Sequence, residues 1–96
     1  MNEQRVRMIG QRLQNAMVVE HLEIEDESHL HAGHAGARDG RGHFRVLVVS
    51  DAFADRSPLQ RHRLVYDAMG EAMETDIHAL TIRAMTPQEY QQTAST

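Results

Sequence analysis

The sequence predicts a small α+β domain with element order α-β-β-α-β-α, a three-stranded mixed sheet and helices packed on one face. Three observations predict it. Stretches of helical apolar spacing flank and separate stretches that alternate like strands. Two Ser/Thr-Pro-x-Glu/Gln signatures mark helix starts, and one long glycine- and histidine-rich segment interrupts the pattern with almost no large apolar residue to pack.

From Glu3 to Met17, the residues Val6, Ile9, Leu13, Ala16 and Met17 fall on one side of a helix, with arginine and glutamine on the rest. Val18 to Glu25 then alternates, Val18, Leu22 and Ile24 against Val19, His21, Glu23 and Glu25, which predicts a strand with His21 turned to solvent. The segment 26–42 carries Gly33, Gly36, Gly40 and Gly42 and is expected to be a flexible loop. His43 to Ser50 is apolar on both faces, as a central strand requires. Ser57-Pro58-Leu59-Gln60 opens a helix expected to run to Glu74. Its face of Val65, Met69, Ala72, Met73 and His62 would be buried, making His62 a hydrogen-bonded core residue, and Arg63, Asp67, Glu71 and Glu74 would lie outside. Asp76 to Met85 alternates as a third strand, with His78, Leu80, Ile82 and Ala84 on one face. Thr86-Pro87-Gln88-Glu89 begins a last helix expected to fray beyond Gln91. The 96 residues therefore form a single domain with an ordered core at about 3–91.

Composition narrows the function. Fourteen acids against ten arginines and no lysine give a net charge of −4, an unfavourable balance for sequence-independent binding to nucleic acid. No apolar run approaches the ~20 residues of a membrane span, and no signal peptide is evident, so a cytoplasmic or organelle-matrix protein without membrane contact is expected. No nucleophile with an adjacent base stands out and no phosphate-cradling glycine loop precedes a helix, so an enzyme is not expected.

The histidines are the chemical signal. His29, His31 and His34 lie in the loop, His43 starts the second strand and His78 starts the third, in a chain without cysteine. Directly joined strands one and two should be antiparallel, whereas strands two and three, separated by a helical crossover, should be parallel. Parallel strands begin at one edge of the sheet, so the loop histidines, His43 and His78 can meet there. Imidazoles without thiols suit a soft metal centre only if a partner supplies sulfur.

Several short motifs occur in order: Asp26-Glu27-Ser28 with His31, His43-Phe44, Ser50 with Phe53, Arg61-His62-Arg63, Ile77-His78-Ala79-Leu80, and Thr86-Pro87 with Glu89. Together they make residues 5–90 resemble the BolA family. The resemblance implies a fold similar to the type II KH domain and partnership with a monothiol glutaredoxin, in a heterodimer bridged by a [2Fe-2S] cluster. It makes His78 the C-terminal histidine ligand and His31 the best match to the loop ligand, with His34 and His29 as other candidates and His43 a candidate for orienting a ligand. The glutaredoxin cysteine and bound glutathione would supply thiolate, so no cluster is expected to bind tightly to the isolated chain. The implied role is cluster trafficking or iron- and redox-linked regulation.

Two other readings stay open. One is a DNA-binding transcriptional regulator using the KH-like or helix-turn-helix region, with Arg61, Arg63 and Arg56 as contacts; against it, Arg61 and Arg63 point ~200° apart on the helix, and Arg63 can pair with Asp67. The other is an autonomous divalent-metal site made of His29, His31 and His34. Gly33-His34-Ala35-Gly36 fits the GXXG clamp of KH domains, but in the wrong loop; the equivalent position here is Ala54-Asp55-Arg56-Ser57.

Overall fold

The computed structural model describes residues 2–28 and 42–94. The elements follow the expected order: α1 (Asn2–Ala16), β1 (His21–Asp26), β2 (Gly42–Val49), a 3-10 turn (Asp51–Phe53), α2 (Pro58–Met69), α3 (Ala72–Thr75), β3 (Ile77–Met85) and α4 (Pro87–Ala94). β2 is central, antiparallel to β1 and parallel to β3.

The core lies between one face of the sheet and α1, α2 and α3, while α4, expected on that same face, packs against the opposite one. Phe44, Val46 and Val48 alternate inward along β2 and meet Ile9 and Leu13 of α1, Val65 and Met69 of α2, and Ile77 and Leu80 of β3. Phe53, fully buried, enters this core from the turn after β2. The turn is fixed by Ser50, which is 1% exposed: its hydroxyl donates to the Val18 carbonyl at 2.7 Å and accepts from the Ala52 amide at 3.1 Å. On the opposite face, His21, Val49 and Met85 share one row of the sheet. There the ring of Tyr90 from α4 stacks on His21 with centroids 4.8 Å apart, and Val49 is buried outside the main core.

Both capping signatures form as expected. Ser57 and Gln60 exchange side-chain and backbone bonds at the start of α2. Thr86 and Glu89 do the same at the start of α4.

Four local expectations are corrected. β1 begins at His21, not Val18; Val18 lies in the link from α1, 83% exposed, where its carbonyl accepts from the Ser50 hydroxyl. The helix expected through Glu74 ends at Met69, where Gly70 turns the chain with φ +55°, and resumes as α3. His62 is exposed: it shares an angular face with Met69, but it belongs to the first turns of α2, where Pro58, Leu59 and Gln60 also stand clear of the core. The last helix continues to Ala94, with the Thr93 hydroxyl donating to the Glu89 carbonyl.

Candidate functional site

The edge where β2 and β3 begin carries the histidine site. Successive residues Gly42 and His43 of β2 pair with Ile77 and Ala79 of β3, so His78 is the extra residue of a β-bulge. The bulge breaks the alternation assumed from sequence. Ile77 and Leu80 are both buried, three positions apart, and His78 is turned out of the core and exposed rather than sharing a face with Leu80.

His43 stands beside the bulge, half-buried, and the chain around it is tightly tied. The Glu27 amide donates to the His43 carbonyl at 2.8 Å, and the His43 amide donates to the Ser28 hydroxyl at 3.0 Å. The Ser28 amide in turn donates to Asp26 Oδ1 at 2.9 Å, and the Gly42 amide to the Asp76 carbonyl at 3.0 Å. The Glu27 carboxylate, only 15% exposed, lies 3.9 Å from His43 Nε2 and accepts from Arg45 Nε at 3.1 Å. Arg5 of α1 approaches Asp76 at 3.5 Å on the same edge. Gly42 has no room for a side chain: a Cβ there would stand 2.6 Å from the Phe44 ring and 2.9 Å from the Ser28 hydroxyl.

His78 and His43 are thus brought to one edge, as the strand order predicts. His29, His31 and His34, with most of the expected flexible loop, lie outside the described residues. Among the described residues, no group of three or more His, Asp or Glu side chains could hold a metal.

The arginines offered for DNA contact are used differently. Arg61 is a clamp inside the fold: it donates to both oxygens of Glu89 at 2.6 and 3.2 Å, to the Ala84 carbonyl at 3.1 Å and to the Arg56 carbonyl at 3.1 Å. Its guanidinium, and then the Thr86 amide, hold the Glu89 carboxyl at about 2, well below its usual value. Arg56 donates to the Ala52 carbonyl at 2.9 Å. Arg63 is exposed, and the expected pair with Asp67 does not form among the described residues. His21, expected to be solvated, instead lies 2.6 Å from Glu23 Oε2 and stacks on Tyr90.

Sequence reasoning missed the Glu27–Ser28 anchorage and the Arg61 clamp. The first had a local signal, Asp followed two residues later by Ser, which favours a side-chain turn. The second joins residues 28 apart and has no local signal.

The sequence pattern of the BolA-like protein family matches residues 4–89. The chain belongs to the BolA-like family. The domain is 45% identical over 84 residues to BolA-like protein 1 of Mus musculus, covering 88% of this chain and 59% of that protein. It is 43% identical over 86 residues to the chloroplastic/mitochondrial SufE-like protein 1 of Arabidopsis thaliana, covering 84% of this chain and 23% of that protein. The chain therefore spans only part of the length of these curated relatives. Among solved structures, the BolA domain of SufE1 from Arabidopsis thaliana superimposes with a TM-score of 0.78 at 40% identity, covering 88% of this chain and 94% of that one. The BolA-like fold is thus that of the α+β domain described here. None of its described helices is long and apolar enough to cross a membrane.

Proposed function

We propose that this BolA-like domain is an adaptor that binds a monothiol glutaredoxin and shares a [2Fe-2S] cluster with it, with His78 and a loop histidine, His31 before His34 or His29, as its iron ligands. The observation that carries the reading is the bulge that turns His78 out of the core beside His43, at the edge adjoining the histidine loop. The donor set fits half of such a centre: imidazole nitrogen is offered at an edge, and the whole sequence has no cysteine. Nitrogen in place of thiolate on one iron raises a cluster's potential, and the remaining sulfur ligands would come from the glutaredoxin cysteine and glutathione.

In this reading, the chain binds and orients a cargo and catalyses no covalent step. Cluster trafficking or iron-linked regulation follows from the cargo. Glu27, beside the His43 ring, has the place of a carboxylate that orients an imidazole near a metal. The DNA-binding reading finds less support, because Arg61 and Arg56 serve the fold's own carbonyls and Glu89. The autonomous metal site would rest on His29, His31 and His34, which lie outside the described residues.

The test is anaerobic reconstitution with a monothiol glutaredoxin, glutathione, iron and sulfide, read by visible absorption and circular dichroism against size-exclusion mass. A coloured 1:1 complex that does not form with the isolated chain supports the adaptor. A salt-sensitive DNA complex lost in Arg63→Ala, with no coloured complex, supports the regulator instead.

A further inference from the structure

The pairing of β1 with β2 contains a substitution at the site's edge. Glu25 pairs with Arg45 and Asp26 with Phe44, so the next residues in register are Glu27 and His43. Opposed residues of an antiparallel ladder alternate between pairs that exchange two N–H···O=C bonds and pairs that exchange none, and Glu27 and His43 fall at a bonded position. Only one forms here between backbones, from the Glu27 amide to the His43 carbonyl. The His43 amide donates instead to the Ser28 hydroxyl at 3.0 Å. Ser28 is carried there by a tight turn, its own amide held by Asp26 Oδ1 at 2.9 Å.

The side chain of Ser28 therefore replaces a ladder carbonyl. The consequence is spatial: β1 leaves the sheet at Asp26, and the first residues of β2 remain bonded on that side. On their other side, the Gly42 amide is tied to the Asp76 carbonyl, and the pairing skips from Gly42↔Ile77 to His43↔Ala79. Opposite the bulge at His78, Gly42 is thus bonded on the β3 side and His43 on the β1 side. A Cβ built on Gly42 would stand 2.9 Å from the Ser28 hydroxyl, so β2 passes close by Ser28 at this point.

We propose that Ser28 is a positioning residue for His78, acting through the His43 amide to hold β2 in the register that creates the bulge, and that Asp26 is required because it places Ser28. A slip of one residue would move a strand's side chains to the opposite face, so this register decides where the His78 imidazole points. The functional consequence rests on the adaptor reading, in which His78 is a ligand. The positional claim does not.

The experiment uses the full chain and follows the imidazole ring resonances of all histidines together with amide hydrogen exchange, in Ser28→Ala, Ser28→Thr and Asp26→Ala. In Ser28→Ala, the His43 amide should exchange about tenfold faster or more, as for a donor that loses its acceptor. The His78 ring resonances should shift, and those of His21 and His62 should stay in place. Ser28→Thr, which keeps the hydroxyl, should restore the wild-type pattern, and Asp26→Ala should reproduce the Ser28→Ala pattern. A His78 resonance unmoved while the His43 amide is exposed overturns the proposal. So does a general shift of every histidine, which would mean loss of fold rather than of position. With the glutaredoxin complex, the circular dichroism of the cluster should change in Ser28→Ala and recover in Ser28→Thr. If the wild-type chain forms no such complex, the adaptor reading fails, while the ring resonances still decide whether Ser28 positions His78.

Discussion

Replacing Arg61 by alanine would remove four hydrogen bonds that join α2, the turn before it, the end of β3 and the start of α4. The Arg61 side chain is 15% exposed and Glu89 44%, so the pair lies at the boundary of solvent. The fall of the Glu89 carboxyl from 4.5 to about 2 would correspond unscreened to roughly 3 kcal/mol, shared with the Thr86 amide. With Glu89 nearly half exposed, solvent screening reduces the Arg61 share to about 1 kcal/mol. Loss of the guanidinium bonds to the two carbonyls adds about 1 kcal/mol more. Arg61→Ala should therefore destabilise the domain by about 2 kcal/mol, a fall of roughly 10 °C in Tm for a domain of this size. Glu89 has a lowered folded-state pKa, so its contribution is complete above the unfolded value near 4.5 and is lost as pH falls toward 2. Urea unfolding between pH 7 and pH 2 would show this as an acid-dependent loss of stability in the wild type that is much flatter in Arg61→Ala. A variant as stable as the wild type, or one with an unchanged acid profile, would refute the clamp and return Arg61 to the surface as a candidate DNA contact.

Other substitutions probe the packing. Gly10 lies within α1, and a Cβ there would meet Leu22 and Ile24 at 3.5 and 3.7 Å, ordinary contact distances, so Gly10→Ala should raise stability by about 0.5–1 kcal/mol in chemical denaturation through helix propensity. Gly42→Ala should lower it by about 1–3 kcal/mol, because the Phe44 ring that the new methyl meets is fully buried and cannot yield. His62→Ala should change the unfolding midpoint by less than about 0.5 kcal/mol, as expected of an exposed side chain; a loss of several kcal/mol would restore it to the core.

The architecture was legible because it rests on periodicity and caps. The alternating runs, the central apolar strand and both capping boxes need only neighbours in sequence; the central strand and both boxes appear where their residues predict them, and β1 starts three residues late. The misreadings share a physical origin. A helical wheel gives the angle of His62 but not how far along α2 the core extends. It also passes smoothly through Gly70, whose positive φ stops the helix. Strand alternation likewise assumes an unbroken ladder, whereas the bulge inserts His78 as an extra residue. The placing of His43 and His78 at one edge of the sheet was still readable, since it follows from parallel strands sharing a starting edge. The bond from the His43 amide to the Ser28 hydroxyl and those from Arg61 to Glu89 were not, because each joins residues far apart in sequence through the tertiary fold.

The adaptor proposal rests on His78 being a ligand and not a structural residue. Its most direct test is the visible circular dichroism of the reconstituted glutaredoxin complex with His78→Ala, beside the urea unfolding of the same variant alone. An exposed side chain at a bulge predicts unfolding within about 0.5 kcal/mol of the wild type, together with a cluster spectrum that is altered or lost. A normally folded variant that gives the wild-type spectrum would contradict ligation by His78.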